Sequence, residues 1–296
     1  MMYDRSMLKI ILLLLLISSP LMAQSKATVD PSFGKISEEC GVRNAKKHVW
    51  IFKQWHLAPS INTHVENANP PQRENQRAIF QQLENWVDKK SIDTVYAEGC
   101  TGEITENFSK AYNGWTYKNL ADQANDKDYD EIVTLIPLKL KAKYNDKLKV
   151  LCGDDESVIQ KQNESLSDAR GTVGFLTRIE QLRNDPVRVK IYVEKAAEMD
   201  RLPKGSSIDK VLKKLNEDLK DEIGKVQGGI DQRNESFVKN LVQNDASESV
   251  LVVGGLHAKG LVDLLKKKGI DCTVVEPKGY RTEDEKLFNV SELNHK

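Results

Sequence analysis

Two histidines, a glutamate and an arginine stand where hydrolytic chemistry could use them. His56 follows an apolar run at residues 48–52. Glu98 ends a second run, and His257 follows a third across Gly254 and Gly255. Arg233 shares the apolar stripe of a helical stretch, between Ile230 and Phe237. Two imidazoles and a carboxylate, His56, Glu98 and His257, suit zinc or a similar divalent metal with one position open for water. Without a metal, a histidine polarised by Glu98 can deprotonate water while Arg233 stabilises an oxyanion. A guanidinium facing a core or cleft must be paired. Arg233 therefore pairs with Glu98, holds an anionic group, or snorkels at the edge of its stripe.

Each residue also has a plainer use. His56 can be an exposed loop histidine, Glu98 can cap the turn at Gly99, and His257 can cap its own helix. Asp154 or Asp155 can cap the helix that follows them. His48, His64 and His295 read as structural or exposed.

These residues meet only if the chain places them at one edge. Apolar runs at 48–52, 93–97, 148–152, 249–253 and 271–276 read as buried strands. Helical periodicity fills 73–89, much of 103–146, 156–245 and 261–268. Alternating strands and helices predict an α/β fold: a mostly parallel central sheet of about five strands, flanked by helices, with right-handed crossovers. The stretch 156–245 is then a helical insertion before the fourth strand. Ser207 is placed to cap its last helix, Gly228 and Gly229 weaken or break that helix, and Pro137 kinks or divides an earlier one. Residues 24–39 and the tail beyond Pro277 read as loose or peripheral. In open α/β sheets ligands bind beyond the carboxyl ends of the strands. His56, Glu98, Asp154 with Asp155, and His257 all fall on that rim.

Other chemistries fail on spacing. Gly254-Gly255-Leu256 is not a dinucleotide fingerprint, because Leu256 occupies the second glycine position. Leu261 stands where a P-loop needs lysine. No H-E-x-x-H or G-x-S-x-G occurs. The chain has equal numbers of acidic and basic residues and no strong basic cluster, which argues against nucleic acid as partner. A peptide or a small molecule is the expected substrate.

The N-terminus reads as an export signal. Arg5 and Lys9 precede an apolar stretch at 10–17, and the small residues up to Ala23 suit a signal peptidase. Cleavage after Ala23 leaves one domain, 24–296, in the periplasm or outside the cell, with no stable membrane span. Export places Cys40, Cys100, Cys152 and Cys272 in an oxidising compartment. On the strand layout Cys100 and Cys152 share one end of the sheet, and Cys40 and Cys272 share the other. The favoured pairing is therefore Cys100–Cys152 and Cys40–Cys272, with four buried thiols as the alternative.

Four short blocks resemble the TraB/Tiki superfamily, which includes erythromycin esterases and ChaN-like haem-binding proteins. They are Lys53-Gln54-Trp55-His56, Val95-Tyr96-Ala97-Glu98-Gly99, Arg233-Asn234, and Gly254-Gly255-Leu256-His257. Lys53 departs from the glycine, or the glutamate of the esterases, at its position. The resemblance implies a metal-dependent, peptidase-like hydrolase with His56, Glu98, Arg233 and His257 as its site. It also admits a non-catalytic ChaN-like protein holding haem or a metal.

Overall fold

A computed structural model describes residues 27–55, 70–105, 136–199 and 202–282. Residues 1–26, where the export signal is expected, lie outside the described residues, as do His56, His64, residues 106–135 and the tail from 283. Six strands form one sheet: β1 (Gly34–Glu39), β2 (His48–Gln54), β3 (Thr94–Ala97), β4 (Lys149–Cys152), β5 (Glu248–Gly254) and β6 (Asp271–Pro277). Their order is β1-β6-β2-β5-β3-β4. Every pairing is parallel except β1 with β6. The α/β architecture is as the alternation of elements required. The sixth strand, β1, corrects the reading of residues 24–39 as loose for the part from Gly34 to Glu39. Its five last residues are exposed, so it lacks the apolar pattern that marks a strand in sequence. Edge pairing to β6 holds it instead.

The helices described are α1 (Pro70–Asp88), α2 (Ile136–Tyr144), α3 (Glu156–Gln181), α4 (Pro186–Met199), α5 (Ile208–Gln243) and α6 (Ala258–Lys267). None of them is long and apolar enough to cross a membrane. One face of the sheet packs Trp50, Phe52, Val95 and Val250 against Ile79, Leu83 and Trp86 of α1 and against α2. The other packs Ile51, Tyr96, Leu251 and Val274 against Phe237 and Leu241 of α5 and Leu261 and Leu265 of α6. Strand residues alternate between these faces. Tyr96 faces α5, Ala97 faces α1, and the next position in that alternation, 98, returns toward α5.

The helical insertion is present as α3, α4 and α5. The Ser207 hydroxyl accepts the amide of Lys210 at 3.4 Å and starts α5, as its position suggested. The helix then runs unbroken for 36 residues through Gly228 and Gly229, a length of about 54 Å at 1.5 Å per residue. Of the two expectations, weakening or breaking, the break is absent, because both ends of α5 are anchored. Val211 and Leu215 pack with Ile179 and Val193 in a separate core, while Phe237, Val238 and Leu241 join the sheet layer. Two glycines cost about 1 kcal/mol each, and burial of a single Val or Leu in either anchor offsets about 1.5–3 kcal/mol. Pro137 is the second described residue of α2, and the stretch it is expected to kink or divide lies largely outside the described residues.

Candidate functional site

Register sets the stage. Gln54 of β2 pairs with Gly254 of β5, while Ala97 of β3 pairs with Val252 of β5 and Cys152 of β4. The carboxyl ends of these strands therefore share one edge. The loops leaving them carry Glu98, Asp154 and His257, and α5 lays Arg233 and Asn234 across the same edge.

Arg233 is the centre of the cluster. Its Nε and Nη2 donate to Asp154 Oδ1 and Oδ2 at 2.7 and 2.8 Å, a bidentate fork. Nη2 also reaches Glu98 Oε1 at 2.8 Å, and Nη1 donates to Gln162 Oε1 of α3 at 2.7 Å. Burial alone would favour the neutral guanidine. The hydrogen bonds to Asp154 and the charges of Glu98 and Asp154 outweigh it and hold the pKa above its ordinary value. Arg233 is a fixed cation, and its pairing with Glu98 settles the three readings that its place on the stripe left open.

Glu98 is held at both oxygens. Oε2 accepts the backbone amide of Gly254 at 2.6 Å, and Oε1 meets Arg233. Oε1 also lies 3.4 Å from His257 Nε2. His257 closes a single 3₁₀ turn, Gly255–His257, between β5 and α6, and its side chain does not cap α6. Its Nδ1–H donates to Asn234 Oδ1 at 2.7 Å. That bond fixes the tautomer, so in the neutral ring the Nε2 lone pair faces Glu98. The ring edge packs on Phe237 at 5.5 Å between centroids.

Two glycines admit these contacts. A Cβ at Gly260 would overlap the Asn234 amide, and one at Gly153 would overlap the Phe237 ring. Asp154 is no helix cap. It grips Arg233 and accepts the amide of Gly99 at 2.6 Å. Asp155 occupies the N-cap position of α3 without a side-chain cap bond. It accepts instead from Ser236 at 3.1 Å and pairs with Lys239 at 3.8 Å.

Three of the four expected site residues, Glu98, Arg233 and His257, thus meet within hydrogen-bond or near-contact distance. His56 lies outside the described residues. His48 is elsewhere, at the start of β2, bonded to Asp271 at 3.0 Å. Among the described residues no group of three His, Cys, Asp or Glu is arranged to hold a metal. Asn234 and Gln162 were not anticipated as partners. Asn234 could have been found from its place beside Arg233, whereas Gln162 lies on a charged helix with no sequence signal.

The flanks of the site differ in charge. Lys53, buried on β2, pairs with Glu276 at 3.1 Å, and Lys35 joins the same carboxylate. On the β4 side an open groove of about 590 Å³ runs beside Asp154, lined by Glu103, Cys152, Asp155, Glu156 and Asn240 among others. Two disulfides, Cys40–Cys272 and Cys100–Cys152, join the cysteines in the pairing expected from the strand layout. Compared with protein-family models, with curated proteins and with solved structures, the chain finds no match in any of the three.

Proposed function

We propose that this chain is an exported, metal-dependent hydrolase of peptide bonds, related to the TraB/Tiki superfamily, with Glu98, His257 and His56 as metal ligands. The observation that carries the reading is the 3.4 Å separation of His257 Nε2 and Glu98 Oε1. Two ligand atoms on a tetrahedral zinc ion, each about 2.0–2.1 Å from it, lie about 3.3–3.4 Å apart. The imidazole is also oriented as a ligand requires, with its far nitrogen donating to an amide oxygen. A divalent metal bound there would acidify a water and polarise a carbonyl. His56 is the third ligand by resemblance.

The chain's own groups do the rest. Asn234 keeps the proton on Nδ1, so the Nε2 lone pair is the one left to bind the metal. Glu98 stays aligned because Gly254 and Arg233 hold its two oxygens. The fork of Arg233 is occupied by Asp154, Glu98 and Gln162. This favours orientation of Glu98 over direct contact with substrate. The two disulfides agree with an exported protein.

The test is hydrolysis of a mixed peptide library by the mature protein, followed by mass spectrometry. Cleavage that chelation abolishes, zinc restores and His257→Ala removes supports the reading. A protein that leaves every peptide intact at saturating zinc, and instead develops a Soret band on haem addition, would be a ChaN-like binder.

A further inference from the structure

The two carboxylates of the cluster come from different loops, and a disulfide joins those loops. Glu98 precedes Cys100 by two residues, and Asp154 follows Cys152 by two. Cys100 and Cys152 are bonded, with Cα atoms 5.1 Å apart. Around them the loops exchange backbone bonds: the amide of Gly153 donates to Ala97 O at 2.9 Å, and that of Cys152 to Gly102 O at 2.7 Å. The amide of Gly99 donates to Asp154 Oδ2. Gly99 has φ +80°, a left-handed turn that swings the chain from Glu98 toward the cysteine.

We propose that Cys100–Cys152 is a redox lock on the site, opened by a dithiol reductant that reaches Cys152 through the adjoining groove. Both sulfurs sit in largely buried residues, yet Cys152 lines the groove beside Asp154, which gives one side of the bond an approach. The chemistry is thiol–disulfide exchange. A thiolate of the dithiol attacks Cys152 Sγ, forming a mixed disulfide and releasing Cys100 as thiolate, which takes up a proton. The second thiol of the reductant then attacks its partner sulfur in the mixed disulfide. It leaves with a disulfide of its own and frees Cys152. Two electrons pass from the dithiol to the protein.

Reduction removes the covalent joint between the Glu98 and Asp154 loops; both half-cystines belong to the apolar layer against α1 and α2, while the opposite layer does not include the bond. Arg233 then loses the fixed geometry in which one guanidinium serves both carboxylates. Cys40–Cys272 has a different task. It ties the end of β1 to β6, and the amide of Cys40 donates to Cys272 O at 2.8 Å. The proposal rests on the reading that this cluster is where the chain acts. Its test uses no substrate, so the two can fail separately.

Amide hydrogen exchange of the mature protein is measured before and after dithiothreitol. The measurement is repeated on a Cys100→Ser/Cys152→Ser variant, which keeps Cys40–Cys272, with mass spectrometry to verify which bond is open. Opening Cys100–Cys152 is expected to speed exchange at Gly99 and Gly254 at least tenfold while amides in the middle of β2 and β6 keep their protection. Unchanged exchange at Gly99 and Gly254 with the bond verified open would overturn the proposal. So would loss of protection throughout the sheet in both the reduced protein and the variant, because the bond would then support the whole fold rather than the site.

Discussion

The Nδ1–H of His257 donates to Asn234 Oδ1 at 2.7 Å, so the other ring nitrogen faces Glu98 Oε1 at 3.4 Å. One residue of α5 thereby decides which nitrogen of a histidine on the β5–α6 turn is available. Replacing Asn234 with Leu removes the acceptor and frees the tautomer. Zinc affinity is expected to fall about 10- to 100-fold, the usual cost of losing the outer partner of a ligating histidine. Competition against a chromophoric chelator measures it. An unchanged affinity would mean that Asn234 serves packing only.

Arg233 predicts a stability effect larger than most single changes. Arg233→Met leaves Glu98 and Asp154 buried without their shared cation, at about 3–5 kcal/mol. Arg233→Lys is expected to recover little, because a point charge cannot reproduce the fork that spans both carboxylates. Urea denaturation followed by circular dichroism would show both variants well below wild type. A lysine variant close to wild type would count against the fork.

Close approach at Gly260 gives a narrower test. A methyl group there collides with the Asn234 amide and must displace it. Gly260→Ala is expected to cost about 1–3 kcal/mol and to weaken zinc binding as the Asn234 variant does. Gly174→Ala on α3, where a Cβ meets nothing within 4 Å, is the matched control and should stabilise by about 0.4–1 kcal/mol. Equal effects at the two positions would contradict the packing account.

Acid sensitivity follows from Glu276. Burial alone would raise its pKa. The hydrogen bonds from Lys53 and Lys35 and the charge of Lys53 outweigh it and hold the carboxyl below its ordinary value. A depressed folded-state value gives stability that is fully present above the ordinary value of about 4.3. That stability is lost as pH falls through the depressed one. Glu276→Gln should therefore be less stable than wild type at pH 7 and approach it as pH falls from about 5 to about 2. Parallel urea midpoints for the two proteins across that range would show that the ion pair contributes nothing.

Much of the fold was legible in residue pattern. β2, β3, β4, β5 and β6 are apolar because both faces of a parallel sheet are covered, and such runs announce themselves. β1 did not, since an exposed antiparallel edge needs only backbone partners. The residues alone leave the continuity of α5 at Gly228 and Gly229 open, because helix propensity is local and the two anchoring cores are not. In the cluster, Glu98 and His257 could be placed from strand ends and Arg233 from its stripe. The roles of Asp154 and Gln162 could not. Each depends on the angle at which α5 crosses the sheet edge, and no spacing along the chain encodes that angle.

The central claim is that His257 and Glu98 share one metal ion, and an anomalous diffraction map of zinc-soaked crystals tests it most directly. A peak about 2.0–2.1 Å from both His257 Nε2 and Glu98 Oε1, absent in crystals of His257→Ala, is the predicted result. A map with no peak between these atoms at saturating zinc, and with the two side chains still 3.4 Å apart, would contradict it.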